Sequence, residues 1–294
     1  MSAVVAAGRR LGRAVVAIVE GWSARERLAA AVIVAGGMTV VVVAAALSFA
    51  SGGTAPSGAV PPLPPSIAAT HPPSPSGTSP GADETVPPSE TWPATREDPV
   101  YVWVAGDSLG TQLADALVPL LRRTRVFDPT GDTRTSSGLC RPDFYDWPAE
   151  VRTAMHTAAP DAVVIMLGAN DTQDVWDEGR WIPYGTPAWT RTYRDRVRGV
   201  LQAMLEHDVH RVYWVGLPIM AQEWRNQRVA VLNGIYRSEA ARHGKRVRYV
   251  DAWSLFAAGG GYTPDGRMGD GVHFTVSGEQ RLAAEVLRRM REEW

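Results

Sequence analysis

The sequence predicts an α/β domain over residues 98–294, built on a parallel sheet with helices on both faces. Three observations lead there. Short apolar runs at 100–105 (VYVWVA), 162–167 (AVVIML) and 211–216 (RVYWVG) end at or beside a glycine, as strands buried on both faces do. Between them lie longer segments whose apolar residues recur at helical spacing,. The two kinds of segment alternate, and strands joined through helices pair in parallel.

In order, the strand at 100–105 leads into a helix over 109–123, where Leu113, Leu117 and Leu120 or Leu121 share a face. A weaker strand is expected near 124–127, followed by the strand at 162–167. Residues 188–209 read as an amphipathic helix with Tyr193, Val197, Val200, Leu201 and Met204 or Leu205 inward. The strand at 211–216, a helix over 222–243, a strand at 247–251 and a terminal helix over 277–293 complete the pattern. Ser277 and Gln280 have the spacing of a capping box,.

The N-terminal third is different. Residues 28–50 carry no charge, and at about 1.5 Å per residue a helix of that length spans a hydrocarbon core of about 30 Å,. Residues 1–27 hold Arg9, Arg10, Arg13, Arg25 and Arg27 against Glu20 and Glu26, and no Lys or Arg follows until Arg96. That asymmetry predicts a cytoplasmic N-terminus, a transmembrane signal anchor at 28–50 and an extracytoplasmic C-terminal domain. The competing reading is a signal peptide cleaved near Ser48-Phe49-Ala50, which leaves the domain secreted,. Residues 51–97 contain 12 of the 22 prolines and are rich in Ser and Gly, which predicts a disordered, partly polyproline stalk,. Such a stalk serves either as a tether within a cell wall or as a plain spacer.

Composition narrows the function classes. A net charge of −1 lacks the basic footprint of a nucleic-acid binder, and the single cysteine, Cys140, excludes an internal disulfide framework and a cysteine-cluster metal site,. Of the 30 basic residues only Lys245 is not arginine.

Four short signatures fall after predicted strands, where open α/β sheets collect their chemistry. Gly106-Asp107-Ser108-Leu109 places a hydroxyl at a helix N-terminus, where the dipole and free N–H groups favour developing negative charge,. The same stretch also reads as an ordinary helix cap. Asn170, in Gly168-Ala169-Asn170-Asp171, can aim an amide at the same end of the sheet, although an Asn-Asp pair is also turn chemistry,. Asp270 precedes His273 by three residues, so its carboxylate can reach Nδ1 and leave Nε2 free to accept a proton,. Gly138 can lend a backbone N–H to an oxyanion hole.

Taken together and in this order, the four signatures resemble the blocks of the SGNH hydrolases, also called GDSL esterases. The stretch SSGLCRPDFYDWP, with HFT beside the histidine, is similar to an envelope-associated bacterial subgroup. The resemblance covers residues 99–294 and implies a three-layer α/β/α flavodoxin-like fold. It implies Ser108 as nucleophile, His273 as base and Asp270 as its orienting partner. The Ser108 N–H, the Gly138 N–H and the Asn170 side chain would form the oxyanion hole, and no metal or organic cofactor is required. The expected substrate is an acylated (poly)saccharide or another small ester. The leading expectation is a membrane-tethered esterase removing small acyl groups, with acetyl foremost, from an envelope glycan. An O-acyltransferase using the same site and a catalytically silent glycan-binding or scaffold protein are the alternatives.

Other residues invite a role. Trp176, Trp181 and Trp189 follow the Asn170 signature, and their rings suit either a sugar or acyl ligand or loop packing,. Arg141, Asp177, Arg180 and Arg225 are candidates to face the cleft. His207 and His210 invite a metal reading, but no further ligand cluster accompanies them,. Trp103, Trp214 and Trp253 are expected in the core, and Cys140 as a small packed residue near the pocket,.

Overall fold

The structure is a computed structural model that describes residues 94–294 and, before them, the backbone of two short strands. Those strands, Ala31–Ala35 and Met38–Val42, pair antiparallel within the segment expected to be a membrane helix. The rest of that segment, the N-terminal 1–27 and the stalk as far as residue 93 lie outside the described residues. Among the described residues no helix is long and apolar enough to cross a membrane.

From residue 100 onward the expected alternation is present. The strands are β1 (Val100–Gly106), β2 (Phe127–Thr133), β3 (Ala162–Met166), β4 (Arg211–Val215) and β5 (Val247–Val250). The helices are α1 (Ser108–Thr124), α2 (Trp147–Thr157), α3 (Pro187–Leu205), α4 (Glu223–Ala241) and α5 (Val276–Arg291). All strand pairs in the sheet are parallel, in the order β2-β1-β3-β4-β5. That is the flavodoxin-like order, and right-handed crossovers put α1 on one face and α2, α3 and α4 on the other. Helix α1 packs against α5, and α3 lies between α2 and α4, giving the three layers the resemblance implied.

Burial explains why these segments become strands and helices. Every residue of β3 is buried, and all of β1 except Tyr101, because both faces of the central strands are covered,. On α1 the stripe Leu109, Leu113, Leu117 and Leu121 is fully buried, each side chain contributing about 1.5–3 kcal/mol of transfer free energy,. Trp103 and Trp214 lie in the core as expected, whereas Trp253 is only partly buried at its edge.

Several boundaries move for physical reasons. The second strand occupies Phe127–Thr133 rather than 124–127, because α1 runs to Thr124 and closes on Arg125 in the left-handed conformation. Its Pro129 and Gly131 disguise it in sequence, and an edge strand tolerates them,. Helix α2 was not anticipated; it is short and opens on Trp147-Pro148, although Trp147, Val151, Ala154 and Met155 do bury one face. Helix α3 stops at Leu205, four residues short of the expected end. The cap of α5 is Thr275, whose Oγ1 accepts the Gly278 N–H at 3.4 Å, and not the expected Ser277.

The register levels the strand ends: Gly106 pairs with both Thr133 and Met166. The chain leaves β1 for β2 on one side and later returns to β3 on the other. The crevice between β1 and β3 is therefore the topological switch point, where ligands of such sheets bind.

Candidate active site at the sheet switch point

Ser108 is the first residue of α1, half-buried at the carboxyl end of β1. Asp107 caps the helix, its Oδ1 accepting the Leu109 N–H at 3.0 Å. Its Oδ2 accepts the N–H groups of Gly168 and Ala169, each at 2.8 Å. One carboxylate thus ties the serine turn to the loop after β3. Burial pushes the pKa of Asp107 up to about 6, with the Asp171 charge adding to the rise and the three N–H donors opposing it.

The Asp-x-x-His loop arrives before α5 and reaches that serine. His273 Nε2 lies 3.0 Å from Ser108 Oγ, and His273 Nδ1 lies 2.7 Å from Asp270 Oδ2. Asp270 Oδ1 accepts the N–H groups of Val272 and His273 at 2.9 and 3.0 Å, so the turn fixes its own carboxylate. Burial acts to raise the pKa of Asp270, but the bonds from His273 and the Val272 and His273 N–H groups prevail and bring it down to about 2. An ionised Asp270 holds the ring proton on Nδ1 and leaves Nε2 to accept from Ser108.

Two residues brace this loop that the sequence alone did not single out. Gln112, one helical turn after Ser108, donates to the Phe274 carbonyl at 2.9 Å and accepts the Phe274 N–H at 3.0 Å. Arg267 is buried, with its guanidinium 4.8 Å from the Phe274 ring centre and 5.6 Å from that of Phe256. It donates to the carbonyls of Gly271 and Val272, directly before the histidine. Burial lowers its pKa to about 10. The i,i+4 spacing of Ser108 and Gln112 was a readable signal, whereas nothing local marked Arg267.

Asn170 and Gly138 meet on the opposite side. Asn170 Nδ2 donates one hydrogen to the Ser137 carbonyl at 2.9 Å, which orients the amide and leaves its second hydrogen,. Asp171 is fully buried behind Gly138 and accepts the N–H groups of Leu139 and Cys140, both at 2.8 Å. Tyr193 donates to the same carboxylate at 2.8 Å, and its hydroxyl lies 2.6 Å from that of Tyr236. Burial raises the pKa of Asp171, with those donors opposing the rise. The N–H groups of Ser108 and Gly138 find no acceptor among the described residues. A tyrosine hydroxyl also fixes the other loop: a Cβ on Gly168, whose φ is +118°, would fall 2.1 Å from Tyr236 Oη.

The remaining candidates sort by position. Trp176 and Trp181 face each other across a two-stranded hairpin, Val175–Asp177 with Arg180–Ile182, with ring centres 5.1 Å apart. Trp181 is exposed and carries the Arg141 guanidinium 5.1 Å from its ring, while Arg141 pairs with Asp143 at 2.8 Å. Trp189, expected in the cleft loop, is instead fully buried in α3 and stacked on Tyr193. Its place in the helix period, four residues before Tyr193, explains this. Asp177 pairs with Arg196 at 2.9 Å, Arg180 is exposed on the hairpin, and Arg225 reaches the Ala169 carbonyl at 3.3 Å. Cys140 is buried with its thiol pKa pushed up, chiefly by burial and then by Asp171. His207 meets His156, Nε2 to Nε2 at 3.4 Å. Among the described residues no three His, Cys, Asp or Glu side chains gather as a metal site.

A 2-1-3-4-5 parallel sheet carrying an assembled Ser-His-Asp relay at its switch point, with the signatures in this order, is the architecture of an SGNH-type hydrolase. The chain belongs to the DUF459 family, described as proteins of unknown function, whose match spans residues 101–289. No curated protein matches the chain. Similar solved structures include a carbohydrate esterase family 3 protein from Talaromyces cellulolyticus, at 17% identity over 66% of this chain and 97% of that one, with a TM-score of 0.49. A carbohydrate acetylesterase family member from Sinorhizobium meliloti is 16% identical over 66% and 98%, with a TM-score of 0.49. A catalytic mutant of the acetylxylan esterase Axe2 from Geobacillus stearothermophilus is 15% identical over 65% and 94%, with a TM-score of 0.45.

Proposed function

We propose that the domain is a serine esterase that removes small acyl groups, acetyl foremost, from an acylated saccharide of the cell envelope. The observation that carries the reading is the continuous relay from Ser108 Oγ through His273 to Asp270, at 3.0 and 2.7 Å. Ser108 Oγ attacks the ester carbonyl carbon while its proton passes to His273 Nε2. The oxyanion is received by the Ser108 and Gly138 N–H groups and the second hydrogen of Asn170 Nδ2, each such donor contributing about 3 kcal/mol. Collapse breaks the ester C–O bond, and the departing alcohol takes the proton from His273. Water then repeats the sequence on the acyl-serine and releases the acid; a sugar hydroxyl in its place makes the same site an O-acyltransferase.

The relay stands open to an ester carried on a bulky saccharide, with the side chains of His273 and Asp270 34% and 46% exposed. The aromatic pair Trp176 and Trp181, with Arg141, supports a saccharide on the hairpin side,. The membrane anchor at 28–50 belongs to the same proposal and rests on the uncharged run and the arginine asymmetry around it,. Alkaline extraction of membranes and protease access in intact cells test it: release of the intact chain from the membrane rejects the anchor.

The test of the chemistry compares the full-length chain with Ser108→Ala, using a fluorophosphonate probe and an acetyl ester. Probe labelling and acetate release should vanish together in the variant. Undiminished acetate release from purified, folded Ser108→Ala would reject the assignment.

A further inference from the structure

We infer that Arg225 and Arg228, on one face of α4 beside Trp224, bind an anionic group of the substrate next to the acyl-transfer site. The inference rests on the esterase reading above and narrows its substrate class.

The start of α4 is joined to both halves of the site. Just before it, the Ala221 N–H donates to the Gly271 carbonyl at 3.1 Å, and Gln222 Nε2 donates to the Asp270 carbonyl at 3.1 Å. One turn on, Arg225 Nη1 donates to the Ala169 carbonyl, the residue before Asn170, at 3.3 Å. Three residues later, on the same helix face, Arg228 Nη1 donates to the Thr172 carbonyl at 2.7 Å,. The two guanidiniums therefore run along the loop that carries Asn170, and the first stands between that loop and the Asp270 loop.

Several arginines of the domain are neutralised by a carboxylate, and these two are not. Arg141 pairs with Asp143, Arg196 with Asp177, Arg198 with Glu239 and Arg281 with Asp265, at distances of 2.8, 2.9, 3.2 and 2.7 Å. Among the described residues, neither Arg225 nor Arg228 has a carboxylate within ion-pair distance. Each donates to one neutral carbonyl and keeps most of its five N–H donors,. Burial disfavours the charge on Arg225, opposed by the more distant Asp270. A half-buried cation without a counter-ion gains from an anion brought by a ligand.

Aromatic rings hold both guanidiniums in place. Trp224, 47% exposed, lies 4.8 Å from the Arg225 guanidinium and 5.5 Å from that of Arg228. Arg228 also lies over Tyr184 at 4.4 Å. Stacking fixes the planar forks and leaves their edges for a carboxylate or phosphate, while the exposed indole offers a face to a sugar or acyl chain. The anion can sit on the acyl group, as in a dicarboxylate half-ester, or on the alcohol, as in an acylated uronic acid or sugar phosphate.

The test measures kcat/KM of the full-length chain on matched pairs. One arm compares acetyl and hemisuccinyl esters of the same alcohol, and the other compares acetyl esters of a neutral sugar and of a uronic acid. The expected result is a preference for the anionic member in one arm of about 10- to 100-fold. In Arg225→Gln/Arg228→Gln that anionic-to-neutral ratio should fall to near one, and in Arg228→Glu it should invert. The arm that shows the preference identifies which side of the ester carries the anion. Turnover of neutral esters with no anionic preference in either arm rejects this inference and leaves the esterase standing, as does a ratio unchanged in the double variant. No turnover of any ester by the folded chain rejects both.

Discussion

Gly138 and Asp171 are in such close contact that a Cβ on the glycine would fall 2.3 Å from Asp171 Oδ1. The contact gives the glycine a reason beyond chain flexibility. Asp171 must stand there to accept the Leu139 and Cys140 N–H groups, and those bonds turn the preceding peptide toward the site. A side chain at 138 has to displace a fully buried carboxylate held by three donors.

Gly138→Ala should therefore damage the oxyanion hole more than the fold. Loss of one oxyanion donor costs about 10²–10³ in kcat. The expected outcome is a fall of that order in kcat, a smaller change in KM and a lower Tm. A variant with near-normal kcat removes the Gly138 N–H from the oxyanion hole.

Asp107 predicts a pH dependence of stability. Its pKa is raised to about 6 in the fold from an ordinary 3.8, chiefly by burial. Between those values the folded chain holds a proton that the unfolded chain has released. The stabilisation from this group is full below about pH 4 and is lost as pH rises through 6, by roughly 3 kcal/mol at 1.36 kcal/mol per unit. Urea unfolding at pH values from 4 to 7 should show the Asp107→Asn curve flatter than that of the parent chain. Parallel curves would mean that Asp107 does not titrate in this window.

Arg267 acts on the reaction through the histidine loop, as a positioning residue. Its side chain is buried and holds the Gly271 and Val272 carbonyls that precede His273. Arg267→Met keeps much of the volume and deletes both bonds; the Gly271 carbonyl keeps the Ala221 N–H, while the Val272 carbonyl is left unsatisfied at about 1–3 kcal/mol,. The expected result is a kcat lower by about 10- to 100-fold, with KM little changed and fluorophosphonate labelling slowed in proportion. Arg267→Lys should recover part of the rate. A variant that loses stability but labels at the parent rate would limit Arg267 to a structural role.

How far the sequence reveals all this depends on whether the signal is local. The buried runs of β1 and β3, the leucine stripe of α1 and the spacing of Asp270 and His273 are each contained in a few residues, and each was legible. Strand β2 was misplaced because an edge strand pairs on one side only and so carries Pro129 and Gly131 where a central strand would not,. The Asp107 bonds to Gly168 and Ala169 and the Asp171 bonds to Leu139 and Cys140 join residues far apart in the chain. Nothing at either end announces the other. Trp189 misled because it follows a loop signature, while its contact partner, Tyr193, lies one turn further along the helix.

Asp270 yields the sharpest comparison between two substitutions. Its two oxygens have different duties: Oδ1 accepts the Val272 and His273 N–H groups, and Oδ2 accepts from His273 Nδ1. With its pKa lowered to about 2, the carboxylate stays ionised well below the ordinary value of 3.8, and its support is lost only as pH falls toward 2. The acid limb of kcat/KM therefore does not report protonation of Asp270. Asp270→Asn must turn its NH₂ toward either the backbone donors or the ring. The backbone has two donors to one for the ring, so the amide oxygen stays with the backbone and the NH₂ faces Nδ1. That selects the tautomer with the proton on Nε2, which cannot accept from Ser108. Asp270→Ala leaves Nδ1 to water and the ring free to adopt the working tautomer. On an acetyl ester at neutral pH, Asp270→Asn should lose about 10²–10⁴ in kcat, more than Asp270→Ala. If Asn proves the milder change, Asp270 serves the loop rather than the imidazole.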